Sequence, residues 1–228
     1  MSEVLPGGIS LDHTGEHIRI EFDTPRRVLS SAVLNGGAVR ASHLLNLKVN
    51  GDSRAIEPPE KTLAAYCVDA GWRGTTVGMM TATSMDSLRV AKESADGIEI
   101  AVLATSGLSN PRRAGDRAEC RRMVMESEPV GTINIIAITS AILTDAAMVE
   151  ALMIVTEAKS AVLQEADVRS PVSSGIATGT GTDAIAVVSG HGPQEVRYCG
   201  KHVLFGEILG RLAASAVRLS INYKASAD

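Results

Sequence analysis

The chain reads as an α/β or α+β protein, with one or more mixed β-sheets and a few packed helices, and its segment order suggests two pseudo-symmetric units. Three observations predict this. Apolar stretches with the two-residue period of strands alternate with long stretches of helical period. The later strand candidates at residues 98–104, 132–138 and 184–188 are apolar nearly throughout, as strands covered on both faces are. Residue types also recur. Ser30-Ser31-Ala32-Val33-Leu34-Asn35 resembles Thr105-Ser106-Gly107-Leu108-Ser109-Asn110, and each is followed by a strand, a helix and a Thr-rich segment. The expected organisation is an N-terminal strand segment over 1–24 and one larger unit over 25–225, with 28–85 and 103–185 as the internal repeat.

The elements follow in order. Residues 18–22 alternate as a half-buried strand, and 28–34 form a second before the turn Asn35-Gly36-Gly37. Residues 44–49 read as a third strand. Pro58-Pro59 opens a helix to about Trp72, with Glu60 in its first turn and Gly71 near its end. Residues 77–83 are a small-residue strand. Residues 98–104 form another, leading into a basic loop through Glu128 that is the candidate for a mobile flap. After strand 132–138, Thr144 caps a long helix to Ala166. A Gly/Thr-rich loop, strand 184–188 and a helix over 203–221 complete the chain.

Composition excludes several classes. A net charge of −4 with dispersed Lys and Arg carries no nucleic-acid footprint, and one Trp, three Tyr and two Phe are too few for a base-stacking surface. Cys67, Cys120 and Cys199 are odd in number and widely spaced, against a disulfide framework or a zinc ribbon and in favour of a reducing cytoplasm. No apolar run is long enough for a membrane span, and the N-terminus lacks the features of an export signal. His13, His17, His43, His191 and His202 show no metal-ligand spacing on a helix, so no metal is expected.

The strongest functional candidate is Ala177-Thr178-Gly179-Thr180-Gly181-Thr182-Asp183, which runs straight into a strand. Such a run is either a Gly/Thr turn with a solvated aspartate or a cradle for an anion or oxyanion. In the second reading Asp183 is a base and the N–H groups of Gly179 and Gly181 are oxyanion donors. Thr178, Thr180 and Thr182 share one face if extended, and Thr180 is a candidate catalytic hydroxyl. On a helical wheel His202 projects toward Phe205, Leu209 and Leu212, where it is a core histidine or an acid/base. Glu207 aligns with Arg211 as a solvated ion pair. Lys159 lies on the apolar stripe of Met148, Leu152, Val155 and Val162, opposite the solvated line of Glu150, Glu157 and Gln164. It must snorkel, pair or face a polar cavity, and a cavity is favoured. Asn35, Gly36, Gly37, Asn110 and Asn134 are further binding candidates; for the first four the alternative is turn geometry, whereas Asn134 interrupts an apolar strand and needs a partner if buried. Cys199, three residues before His202, is a weak nucleophile candidate.

Seven segments in order carry a family pattern: 29–37, 78–81, 104–110, 131–135, 156–159, 177–183 and 200–207. Together they resemble the adenosylcobinamide amidohydrolase family over about residues 25–220. The resemblance implies a corrinoid-salvage enzyme that hydrolyses the amide between a corrin side chain and aminopropanol, releasing adenosylcobyric acid. The corrinoid is then a small-molecule substrate whose cobalt belongs to it, with no cofactor of the protein's own. The site residues above rest on the physical reading and not on the family. A non-catalytic corrinoid-binding protein is the alternative. A nucleotide-binding module is disfavoured because the Gly-rich loop leads into a strand rather than a helix. Gly206 and Gly210 with Ala213, Ala214 and Ala216 permit close helix packing, within the chain or in an expected homodimer.

Overall fold

A computed structural model of the chain describes residues 3–49, 58–118 and 132–223. Its elements are β1 (Glu3–Leu5), β2 (Ile9–His13), β3 (His17–Ser30), β4 (Gly37–Lys48), α1 (Pro59–Asp69), β5 (Thr76–Thr81), β6 (Arg89–Ala95) and β7 (Ile98–Ser106), then β8 (Pro111–Arg112), β9 (Ile133–Thr139), β10 (Ile142–Leu143), α2 (Asp145–Glu165), β11 (Gly179–Thr180), β12 (Ala184–Ser189), β13 (Glu195–Val196) and α3 (Leu204–Ile221). This is the mixed sheet with a few packed helices that the sequence predicts.

Among the described residues, nine strands form one sheet in the order β1-β2-β3-β12-β9-β7-β6, with β4 on the other edge of β3 and β5 beyond β4. The long strand β3 joins two halves of this sheet. Its residues 18–21 pair with β2, whereas Arg27 to Ser30 pair with β12. A register shift between Glu21 and Arg26, around Pro25, separates the two stretches. The strand therefore runs unbroken through residues 24 and 25, where the sequence suggested a boundary.

The apolar runs of β7, β9 and β12 are covered on both faces. Ile100, Val102, Ile133, Ile135, Ile185 and Val187 pack beneath α2 and α3. The alternating residues Ala101, Leu103, Ile136, Ile138, Ala186 and Val188 pack on Ile18, Ile20, Leu44, Val77 and Met79 of the other half. Behind that half, Leu45 and Leu47 lie against Leu63 and Cys67 of α1. The layers run helix, sheet, sheet, helices, and the strand period of two divides each strand between its neighbouring layers.

Two stretches share one connectivity. β3 and β4 are antiparallel and α1 crosses to β5, parallel to β4; β7 and β9 are antiparallel and α2 crosses to β12, parallel to β9. In this correspondence the Thr-rich segments do not match: Thr81 closes β5, whereas Thr178 and Thr180 lie before β12.

A buried polar seam ties the sheet halves together. Asn46 of β4 donates to Thr105 Oγ1 of β7 at 2.8 Å. Asn134 of β9 donates to Asn46 Oδ1 at 2.7 Å and to the Met80 carbonyl at 3.0 Å. Asn134 thus has the partners its burial demands, and it serves the join between layers. Asn134→Ala strands Asn46 Oδ1 and the Met80 carbonyl in the interior. We expect it to lower unfolding free energy by about 2 kcal/mol, measured as a shift in urea midpoint at unchanged m-value.

Candidate active site

The Gly/Thr loop is held in place by backbone and side-chain bonds before it meets the sheet. Thr178 N–H donates to the Arg112 carbonyl at 2.9 Å, and the Ala114 N–H donates to Thr178 Oγ1 at 2.8 Å. From α2, Ser160 Oγ donates to the Thr178 carbonyl at 3.0 Å. Gly179 and Thr180 then pair with Arg112 and Pro111 as the short ladder of β11 and β8.

Asp183 closes the loop with four hydrogen bonds. Its Oδ1 accepts from Ile133 N–H at 2.9 Å and from Thr180 Oγ1 at 2.6 Å. Its Oδ2 accepts from Thr180 N–H at 3.1 Å and from Lys159 Nζ, which forms a salt bridge with it. The two charged side chains are 10% and 7% exposed, so the pair is withdrawn from solvent. Gly179 makes this approach feasible, because a Cβ there would overlap Asp183 Oδ2 and sit 2.8 Å from Lys159 Nζ. Thr132 Oγ1 donates to the Thr182 carbonyl at 2.7 Å, linking the loop to the Asn134 seam.

Around this cluster opens a cleft of about 630 Å³. Its walls are the loop (Thr178, Gly179, Thr180, Gly181, Asp183), one flank of α2 (Thr156, Lys159, Ser160) and the segment from Asn110 to Ala118. Arg112, Arg113, Arg117 and Lys159 outnumber Asp116 and Asp183 in the lining, so it is predominantly cationic. Asp116 is fixed at the rim by the Ser170 hydroxyl at 2.5 Å and the Arg113 N–H at 2.8 Å. The Ser170 bond, with help from Ser173 and Arg113, holds its carboxyl below the usual carboxylate range. Such a set can bind an amide carbonyl or an anionic group, hold a hydroxyl against a carboxylate, and supply positive charge to a developing oxyanion.

The structure brings Asn110, Lys159, Thr178, Gly179, Thr180, Gly181 and Asp183 together. It places the other candidates elsewhere. Thr182 leaves the shared face, because the extended segment ends at Thr180 and Gly181-Thr182 form a turn. Asn134 lies behind the loop in the seam. Asn35 takes a left-handed φ of 52° and donates to the Thr76 carbonyl at 2.8 Å, while Gly37 has φ of 85°, so Asn35, Gly36 and Gly37 close the β3–β4 hairpin. His202 corrects the wheel reading: α3 starts at Leu204, and His202 sits exposed in the preceding turn. Arg211 pairs with Glu93 of β6 in a bidentate bridge, not with Glu207. Glu150 is not simply solvated, since its Oε2 accepts the Cys199 N–H at 2.6 Å. Of the expected flap, residues 119–128 lie outside the described residues, and 111–118 wall the cleft. The cleft also takes in Thr156, Ser160, Arg112, Arg113, Asp116 and Arg117, none of them a site candidate from the sequence, although the wheel that carries Lys159 also carries Thr156 and Ser160.

Burial beside the Glu150 carboxylate pushes the Cys199 thiol up to about 12, with burial the larger cause. A thiol held protonated through the neutral range is no nucleophile. Among the described residues no three His, Cys, Asp or Glu side chains gather as a metal-binding group.

The family model for adenosylcobinamide amidohydrolase matches residues 4–227. An uncharacterized protein of Methanocaldococcus jannaschii is 38% identical over 157 residues, 63% of this chain; the chain spans 60% of that relative's length. Proteins named adenosylcobinamide amidohydrolase from Methanosarcina mazei and Halobacterium salinarum are 27% and 26% identical. Those alignments cover 85% and 92% of this chain and 90% and 86% of the relatives. Among solved structures, a Burkholderia beta-aminopeptidase aligns with a TM-score of 0.45 at 15% identity, covering 96% of this chain and 81% of its own. An L-aminopeptidase D-Ala-esterase/amidase from Ochrobactrum anthropi aligns with a TM-score of 0.40 at 10% identity, covering 93% and 81%.

Two outcomes follow. Gly179→Ala forces Lys159 and Asp183 apart and costs about 2 kcal/mol, visible as a fall of roughly 5 °C in Tm. Cys199 resists iodoacetamide in the folded protein at pH 8 and is alkylated on unfolding, as peptide mass mapping will show.

Proposed function

The chain belongs to the adenosylcobinamide amidohydrolase family, and from that premise we propose that it hydrolyses the amide joining a corrin side chain to aminopropanol in adenosylcobinamide, releasing adenosylcobyric acid. The observation that carries this reading to particular residues is the meeting of Thr180, Asp183 and Lys159 on one cleft.

Amide hydrolysis needs an attacking oxygen, a proton acceptor for it, charge stabilisation for the tetrahedral oxyanion, and a proton for the departing amine. Both oxygens of Asp183 are already engaged by protein donors, so a proton reaches this carboxylate through the Thr180 hydroxyl bonded to it at 2.6 Å. In this reading Thr180 Oγ attacks the amide carbon while its proton passes to Asp183. Lys159, half of the buried ion pair, stabilises negative charge on the former carbonyl oxygen and keeps the carboxylate in position. The C–N bond then breaks, the amine leaves with the proton from Asp183, and water hydrolyses the resulting ester to free Thr180. Asn110 and Arg112 orient the rest of the amide-bearing arm. The cobalt is part of the substrate, and no resident cofactor is invoked. Among the described residues no helix is long and apolar enough to cross a membrane, and the reading assigns the reaction to the cytoplasm, where dispersed cysteines stay reduced.

Incubation with adenosylcobinamide is expected to yield adenosylcobyric acid by mass spectrometry. Corrinoid binding without product would favour the carrier reading instead. Thr180→Ala should lower kcat by about 10³-fold and Thr180→Ser by no more than about tenfold. Lys159→Met should cost about 10²-fold. His202→Ala should leave kcat within about twofold, since that side chain is exposed before α3. Full activity of Thr180→Ala would assign the attack to water.

A further inference from the structure

The cleft carries more positive charge than the bond-breaking step uses. Lys159 and Asp183 form an ion pair and cancel. Of the charges left in the lining, Arg112, Arg113 and Arg117 stand against one carboxylate, Asp116. Hydroxyl and amide donors hold that carboxylate, through Ser170 Oγ at 2.5 Å and the Arg113 N–H at 2.8 Å. The Arg113 guanidinium donates to the Ile176 carbonyl at 3.0 Å, a neutral acceptor that fixes the side chain without cancelling its charge. Gly175 gives this side chain its room, since a Cβ there would sit 3.0 Å from Arg113 Cδ. Arg113 and Arg117 are both exposed.

These cations lie beside the reacting groups. In the ladder of β8 and β11, Thr180 pairs with Pro111 and Gly179 with Arg112. Just past Arg113, the Ala114 N–H donates to Thr178 Oγ1 at 2.8 Å, so the two runs stay together. At about 3.3 Å per residue, Arg112 and Arg113 follow within two steps of the ladder partner of Thr180. One cavity is lined by Thr180, Lys159, Asp183 and all three arginines.

An unmodified amino alcohol arm matches this wall poorly. It offers a hydroxyl and no charge, and the amine that leaves takes a proton and becomes a cation, which arginines repel. A phosphate on the same hydroxyl reverses both effects. It sits only two carbons and one oxygen beyond the amide nitrogen, within the cleft that holds the amide. Guanidinium groups bind phosphate oxygens through short, charge-assisted hydrogen bonds, and the phosphate dianion outweighs the ammonium of the departing amine.

We propose that the arginine wall of the cleft recognises a phosphate monoester on the amino alcohol arm, and that the preferred substrate is the O-phosphorylated form of adenosylcobinamide. This rests on the adenosylcobinamide reading and names the form of the substrate that the site takes. The reaction is the same hydrolysis. Water is consumed, the amide C–N bond breaks, the corrin side chain keeps the new carboxyl group, and the amino alcohol phosphate departs with its P–O bonds intact.

The test compares kcat/KM for adenosylcobinamide and for its O-phosphate, with adenosylcobyric acid measured by mass spectrometry. The phosphate ester is expected to be favoured by about tenfold or more, and the preference should shrink as NaCl rises from about 0.05 to about 0.5 M. Arg113→Gln and Arg117→Gln should each lower that ratio by about tenfold, mainly through KM for the ester, with Tm recorded for each. Arg113→Lys should keep part of the ratio, since it retains the charge and loses the fork. Arg218→Gln, which removes an ion pair to Glu165 outside the cleft, is the control and should leave the ratio at the wild-type value. A wild-type ratio of one or less, or a ratio that both Gln variants retain, overturns the phosphate assignment and leaves the family reading standing. Release of adenosylcobyric acid from neither substrate overturns both.

Discussion

A buried carboxylate must be answered on both oxygens, and the region around the cleft is arranged so that Asp183 is. Its donors come from the start of β9, from β11 and from the middle of α2, elements far apart in the chain. Removing one partner of such a pair leaves an uncompensated charge, which is far more damaging than the net worth of the pair. The consequence is a fixed geometry. The loop cannot drift from α2 without exposing the ion pair, and α2 cannot rotate without withdrawing Lys159.

The rest of the fold brings these donors together. Strand alternation on β7, β9 and β12 gives one set of side chains to the helices and the other to the second half of the sheet. Because β9 and β12 are parallel neighbours, the chain must cross between them, and α2 makes that crossing. The crossover returns the chain to the N-terminal end of β12, where Asp183 sits against the N–H of Ile133. The Asn46, Thr105 and Asn134 bonds hold the sheet halves in register just behind that point. A polar seam of this kind is stabilising only when its members are satisfied together.

Much of the fold is legible from local pattern. Helix α2 falls where Thr144 and the apolar stripe put it, and Thr144 Oγ1 caps it by accepting from Ala147 N–H at 3.2 Å. The apolar strands are equally plain. Strand β6 escapes notice because its residues are half-buried and polar, RVAKESA, and it owes its pairing to β7. β3 is read as two strands because its bulge and Pro25 interrupt the alternation. In the site, Lys159 is legible because a cation on an apolar stripe is a physical conflict that must have a resolution. His202 misleads because a helical wheel has meaning only inside a helix, and α3 begins two residues later.

The sequence by itself determined α2, the apolar strands, the Gly/Thr loop as a candidate site, and the need of Lys159 and Asn134 for partners, because period, capping and burial conflict are properties of neighbouring residues. Only the tertiary structure decided that the partner of Lys159 is Asp183, that Arg112, Arg113 and Asp116 wall the same cleft, and that Thr182 and His202 stand outside it. Those outcomes depend on which strands lie side by side and on where a crossover helix returns. They are set by the packing of whole layers, which no local period records.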